Sequence, residues 1–181
     1  MSEAALTATA RAARVRLMIF DVDGVLTDGR LYFGAQGEAL KVFDVRDGHG
    51  IVLLREAGIE PAILSARRSD IVDVRARELG IRRVVQGERN KLDAFSRLIA
   101  DAGVDRTACG FIGDDWPDLP VLRLAGFAAT VEDAAAEVKA AAHWIAPARG
   151  GRGAVRLLAE FVLRAQNRLD DMLALHGAHR A

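Results

Sequence analysis

The sequence predicts an α/β fold in which one parallel sheet is built with crossover helices, and three observations in its 181 residues carry that prediction. Apolar strand-like runs at 17–20, 61–64, 83–86, 108–112, 126–129 and 143–145 alternate with helix-like runs near 50–58, 69–79, 90–102, 117–124, 133–141 and 153–165. Such alternation builds a parallel sheet. Gly58, Gly80 and Gly103 each close one of the helical runs, as helix-terminating glycines do. Finally, Leu17-Met18-Ile19-Phe20 runs directly into Asp21-Val22-Asp23-Gly24, so a buried strand ends in a charged turn. Open parallel sheets bind ligands at the carboxyl ends of their strands, which places these acids where chemistry is expected.

The chain reads as a single domain over 1–181. Residues 1–14, rich in Ala, Arg and Thr, form an N-terminal lead-in helix; Glu3 argues against a transit peptide. After the acidic turn, the segment 30–43 breaks the rhythm. Two β-prone runs flank Gly34-Ala35-Gln36-Gly37, which is a hairpin pattern. A flap beside a candidate site can cover it, meet another subunit, or merely decorate the sheet. The last part, 148–181, comprises Gly150-Gly151-Arg152-Gly153 as a flexible entry, an amphipathic helix from Ala154, and a polar tail. The alanine-rich stretch 134–142 is an ordinary helix.

Composition narrows the function. Lys+Arg and Asp+Glu number 25 each, so no net field favours nucleic acid or an anionic membrane. No apolar run approaches the roughly 18 residues of a membrane span, and no signal-peptide centre stands near the start. The single cysteine, Cys109, lies in an apolar run and is assigned to core packing. A soluble protein of a reducing compartment is expected.

Further strand ends carry side chains capable of chemistry: Ser65-Ala66-Arg67, Asn90-Lys91, and Gly113-Asp114-Asp115-Trp116-Pro117-Asp118. Taken singly, Ser65 reads as a helix cap, Lys91 as a solvated residue, and Asp114 and Asp115 as caps. Together, Asp21, Asp23 and Asp114 crowd one sheet edge with Asp115 and Asp118 buttressing them and Lys91 as the obvious cation. Such carboxylates repel one another unless a cation intervenes. An all-oxygen set without a His or Cys cluster selects Mg²⁺, whose open positions take phosphate oxygens and water. Phosphoryl transfer follows, with Asp21 as nucleophile and Asp23 as general acid and then base. Ser65 holds phosphoryl oxygens, Lys91 neutralises charge, and Asp21, Asp23 and Asp114 form the metal site.

In this order, Asp21-Val22-Asp23-Gly24, Ser65, Lys91 and Gly113-Asp114-Asp115 resemble the four motifs of the haloacid dehalogenase superfamily of phosphatases. Over nearly its whole length the chain resembles the 3-deoxy-D-manno-octulosonate 8-phosphate phosphatase family. The matching segments include Phe20 to Gly29, Asp47-Gly48-His49-Gly50-Ile51, Arg75-Ala76, Asn90-Lys91-Leu92 and Gly150 to Arg156. The resemblance implies a Rossmann-like doubly wound sheet with helices on both faces. It also implies a capless domain and a homotetramer in which a neighbouring subunit completes each site. The activity implied is Mg²⁺-dependent hydrolysis of a small sugar-acid phosphate in lipopolysaccharide precursor synthesis. Spacing supports the capless architecture independently, because the gaps from Asp23 to Ser65 and from Ser65 to Lys91 hold no separate lid.

Two departures stand out: Ser65-Ala66-Arg67 replaces the family's usual Thr-Gly-Arg, and Trp116-Pro117-Asp118 replaces Leu-Ile-Asp. The hydroxyl and the second acid both survive, and Trp116 is assigned to packing. A substrate carboxylate calls for a bidentate arginine. Arg67 and Arg75 on the core and Arg152 on the tail are the substrate-binding candidates. Asp47 joins them, with a helix cap as its other reading; His49 is structural. Three other functions compete: a related nonulosonate 9-phosphate phosphatase, a receiver-like phospho-acceptor and a silent binding protein. Asp23 argues for turnover over a receiver.

Overall fold

A computed structural model describes residues 6–177 of the chain. Six parallel strands form the central sheet: β1 (Leu17–Phe20), β4 (Glu60–Ser65), β5 (Arg83–Gln86), β6 (Cys109–Ile112), β7 (Phe127–Thr130) and β8 (Trp144–Ile145). They lie in the order β5-β4-β1-β6-β7-β8. The chain therefore winds outward one way from β1 through β4 to β5, then returns to β6 and winds the other way. This doubly wound order places the switch point between β1 and β6, where Leu17 pairs with Cys109 and Phe20 with Ile112.

Every residue of β1, β6 and β7 is buried. A central parallel strand is covered on both faces, which is why these read as continuous apolar runs rather than alternating ones. The edge strand β5 is only half-buried, and its Arg83 reaches Glu60 across the strand pair at 3.1 Å.

The helices are α1 (Ala8–Ala12), α2 (Val45–Glu56), α3 (Asp70–Leu79), α4 (Lys91–Ala102), α5 (Leu119–Leu122), α6 (Ala136–Ala141), α7 (Ala154–Ala165) and α8 (Leu169–Leu175). α2 packs on α3 and α7, and α7 on α1 and α8, while α4 packs on α5 and α5 on α6. Two helical layers enclose the sheet. Left-handed Gly80 and Gly103 end α3 and α4 as expected.

The hairpin is present as β2 (Tyr32–Gly34) and β3 (Gly37–Leu40), an antiparallel pair shorter than the 30–43 segment. Between β1 and β4 the chain holds this hairpin and α2, with no inserted lid domain.

Three expectations are corrected. α2 starts at Val45, not near 50, because Asp44 caps it by accepting from the Arg46 amide at 2.7 Å. The tail is not merely polar: α8 buries Leu169 and Met172. The glycine-rich entry to α7 is pinned rather than flexible, for the Gly151 amide donates to the Val25 carbonyl at 2.8 Å and the Gly150 amide to Asp133 Oδ1 at 3.0 Å. Residues 1–5 of the lead-in and 178–181 of the tail lie outside the described residues. Cys109 is buried, and burial pushes its thiol up to about 11, in keeping with packing. No helix among the described residues is long and apolar enough to cross a membrane.

Candidate active site

The strand ends converge on a cleft of about 330 Å³ lined by Asp21, Asp23, Ser65, Arg67, Lys91, Asp114, Asp115 and Asp118. Asp21 is held at the end of β1 because its amide continues the ladder to the Ile112 carbonyl at 3.0 Å. The chain then folds back sharply. Val25, Leu26 and Thr27 all direct their amides at the Val22 carbonyl, at 2.9–3.2 Å. Gly24 is required twice over in this turn: its φ is +88°, and a Cβ would overlap the Asp114 carboxylate.

Asp114 follows β6. Behind it, the turn Trp116–Asp118 folds Asp118 back, so that Asp118 Oδ2 accepts from the amides of Asp114 at 3.0 Å and Asp115 at 3.3 Å. Gly113 leaves the room for this, since a side chain there would collide with Asp118. The other Asp118 oxygen accepts from Lys91 Nζ at 2.6 Å. Lys91, the first residue of α4, also stands 3.0 Å from Asp21 Oδ1. Burial opposes the Lys91 charge, but Asp21 and Asp118 together outweigh it and raise its pKa above the ordinary lysine value.

Charge is short in this corner. Burial first, and then Asp118, pushes Asp21 up to about 7 against the pull of Lys91. Burial, then Asp21 and Asp118, pushes Asp114 up to about 8. Asp21, Asp114 and Asp118 each offer an oxygen within 4.8 Å of the others. Three acids against one ammonium leave a negative excess that a hard divalent cation would balance, and the donor set is all oxygen. The residues present fit magnesium.

The Asp23 carboxylate, expected in the metal set, is not in this cluster. The turn carries it toward the hairpin, where Oδ1 accepts from Lys41 Nζ and Oδ2 lies 3.3 Å from Arg67 Nε. Asp118, expected only as a buttress, joins the cluster, although both its oxygens are already occupied by protein donors. Asp115 is exposed at the rim and completes a capping box with Asp118.

Ser65 closes β4 and is buried at the cleft wall, its Oγ accepting from the Arg67 amide at 3.3 Å. Arg67 reaches the cleft as anticipated. Three other substrate candidates are not brought there. Arg75 lies on α3 with its guanidinium 2.8 Å from Glu78 and over the Phe43 ring. Arg152 is exposed, 3.8 Å from Asp28. Asp47 is buried and caps a helix other than its own: its carboxylate accepts from the amides of Gly153 at 3.1 Å and Arg156 at 2.9 Å, at the start of α7. Trp116, expected to pack, is 62% exposed and donates to Glu137. The sequence reading missed Lys41 and Glu38 in the hairpin, whose only signal is their spacing of three on a flap read as cover, subunit contact or decoration.

This sheet, with Asp21 and Asp23 on the turn after β1 and acids crowding the switch point, defines a phosphoryl-handling hydrolase. Residues 52–157 match the profile of haloacid dehalogenase-like hydrolases. A 3-deoxy-D-manno-octulosonate 8-phosphate phosphatase of Yersinia pestis is 42% identical over 165 residues, covering 91% of this chain and 88% of its own. Its counterpart in Escherichia coli K12 is 42% identical over 162 residues, covering 90% and 86%. The chain belongs to the 3-deoxy-D-manno-octulosonate 8-phosphate phosphatase family within the haloacid dehalogenase-like hydrolases. Among solved structures, the Moraxella catarrhalis phosphatase in complex with a magnesium ion, a phosphate ion and the sugar acid superposes with a TM-score of 0.91. It is 39% identical, over 93% of this chain and 97% of that one. A cobalt-bound phosphatase from Haemophilus influenzae superposes at 0.86, with 41% identity over 88% and 93%.

Proposed function

We propose that the protein hydrolyses 3-deoxy-D-manno-octulosonate 8-phosphate to the free sugar acid and phosphate, using Mg²⁺, in lipopolysaccharide precursor synthesis in the cytoplasm. The observation that carries this reading is the single cleft in which Asp21 stands 3.0 Å from Lys91 with Asp23, Ser65 and Asp114 on its walls. The 42% identity to phosphatases of that substrate supports its choice.

An Asp21 carboxylate oxygen attacks phosphorus in line, the bond from phosphorus to the sugar oxygen breaks, and Asp23 gives that oxygen its proton. Asp23 then takes a proton from water, whose oxygen attacks the aspartyl phosphate and releases Asp21 and phosphate. Lys91 holds Asp21 and faces the phosphoryl group, and Ser65 donates to a phosphoryl oxygen. Asp21 and Asp114 would hold the magnesium ion, which when bound supplies positive charge opposite the phosphoryl oxygens. The substrate carboxylate is assigned to Arg67, 40% exposed at the cleft and ion-paired there with Asp23 and Glu38.

The site is open on the hairpin side. Leu31, Phe33, Leu40, Val42 and Val45 are all exposed there, and an apolar surface of this kind supports a homotetramer in which a neighbouring subunit completes the site. Phosphate release from the octulosonate 8-phosphate, from a nonulosonate 9-phosphate and from simple sugar phosphates, with Mg²⁺ or with chelator, tests the reading. A preference for the first that vanishes with chelator is expected. Equal rates on sugar phosphates lacking a carboxylate would remove the substrate assignment.

A further inference from the structure

Asp23 is the centre of a network of four charges. Lys41 donates to one of its oxygens, Arg67 Nε stands 3.3 Å from the other as an ion pair without a hydrogen bond, and both cations also share Glu38 Oε1, at 3.1 Å from Lys41 Nζ and 3.2 Å from Arg67 Nη2. The second Glu38 oxygen accepts from Ser69 Oγ. With Asp23 ionised the two acids and two bases cancel; with Asp23 carrying the proton it gives to the leaving oxygen, the network holds one positive charge in excess. Burial works against the Glu38 charge, and the hydrogen bonds from Ser69 and Lys41 overcome it, holding its pKa below the usual glutamate value.

Lys41 is the unusual member. It lies one residue beyond β3, between exposed Leu40 and exposed Val42, yet its side chain is only 2% exposed. Ordering a lysine side chain costs rotamer entropy, which an exposed ion pair returns only in part. A buried ammonium aimed from the flap at one carboxylate therefore serves more than surface charge balance. Asp23 has only two side-chain torsions, and the hydrogen bond from Lys41 on one oxygen, with the Arg67 charge beside the other, restricts both. The four anchors come from three places in the fold: Lys41 and Glu38 from the hairpin, Arg67 from the turn after β4, and Ser69 from the cap of α3.

We propose that Lys41 is a positioning residue for the reaction: with Arg67 it fixes the plane of the Asp23 carboxylate for proton transfer to the leaving oxygen, and Glu38 sets the spacing of the two cations. The proposal rests on the phosphatase reading and on Asp23 as its proton donor. It gives the hairpin a task inside its own subunit, separate from any contact it makes with another.

The test exploits the leaving group. An alkyl phosphate such as the sugar-acid phosphate needs a proton on its departing oxygen, whereas p-nitrophenolate departs without one. In the full-length protein with Mg²⁺, Lys41→Met is expected to lower the ratio of kcat on the alkyl ester to kcat on p-nitrophenyl phosphate by about tenfold or more, general acid catalysis being worth roughly 10²–10⁴-fold. KM for the alkyl ester stays within about twofold, and Lys41→Arg restores most of the ratio. Glu38→Gln, which leaves Lys41 in place, is expected to lower the ratio by a smaller factor and provides the reading should Lys41→Met unfold. Equal losses on both esters, a rise in KM alone, or an unchanged ratio in Lys41→Met or, where that fails to fold, in Glu38→Gln would overturn the proposal. Should the wild type prefer another alkyl phosphate, the substrate assignment fails while the ratio, read with that ester, still decides the role of Lys41.

Discussion

Gly150 lies directly on Gly24: a Cβ on Gly150 would overlap the Gly24 carbonyl oxygen and stand 3.1 Å from that of Thr27. The glycine-rich segment before α7 is thus a backbone wedge against the turn that presents Asp21 and Asp23. Gly24 cannot retreat, because its other side faces Asp114.

Gly150→Ala is accordingly expected to cost more than ordinary overpacking, which runs to about 1–3 kcal/mol, and to lower kcat as the turn shifts. Thermal unfolding and phosphatase assays on one preparation check it. A variant with wild-type melting temperature and wild-type turnover would show that the wedge does not set the turn.

Asp21→Asn is expected to reduce turnover by roughly 10³-fold or more, since an amide is no nucleophile toward phosphorus. The fold survives, because Lys91 keeps Asp118 at 2.6 Å. The melting temperature in chelator should equal or exceed that of the wild type, as one of three crowded acids has lost its charge. Residual turnover near the wild-type rate would end the nucleophile assignment.

Magnesium should stabilise the folded chain. A cation that binds only the native state adds about 2.7 kcal/mol at one hundred times its Kd, so the melting temperature rises with Mg²⁺ at constant ionic strength. Asp114→Asn is expected to lose most of that rise. A rise of equal size in the variant would place the ion elsewhere.

The fold was legible where burial is two-sided. Leu17–Phe20 falls at the residues its apolar run marks, and Cys109–Ile112 within one residue of its own. The start of α2 was not, because Gly48 and Gly50 look like breaks. In the fold they are close approaches: a Cβ on Gly50 would stand 2.9 Å from Arg156 Cα on α7, a packing need that local sequence does not display. At the site, the convergence of Asp21, Ser65, Lys91 and Asp114 was legible because each ends a strand, follows one within two residues, or opens a helix. The partners of Asp47 and Asp23 were not. Asp47 answers amides 106 and 109 residues away, and Asp23 pairs with a flap lysine whose burial depends on how the hairpin lies on the core.

Asp47→Asn tests that reassignment. The amide places an N–H donor opposite one of the two backbone donors of α7, and a buried donor left unsatisfied costs about 1–3 kcal/mol. A lower melting temperature is expected, with KM for the sugar-acid phosphate within about twofold at a temperature where the variant is folded. A large rise in KM would return Asp47 to the substrate.

Acid should destabilise the chain through His143. Its Nδ1 accepts from the Ala128 amide at 2.9 Å, while its own amide donates to the Ala128 carbonyl at 2.8 Å. The ring thus extends the edge between β7 and β8, and it can do so only with Nδ1 unprotonated. Burial, with Arg11 adding to it, holds the pKa below the usual 6.5. With the folded pKa depressed, the unfolded chain binds more protons as pH falls past its own value, so stability is full above about 6.5 and declines below it. His143→Asn offers an oxygen at the same position and does not titrate. Urea midpoints between about pH 5 and 8 should therefore fall more steeply for the wild type than for the variant below about 6.5, the pH at which a free imidazole takes up its proton. His49, whose pKa burial and then Arg156 also lower, contributes equally to both proteins and cancels in the comparison. Parallel curves would mean that His143 holds the sheet edge without gating it by pH.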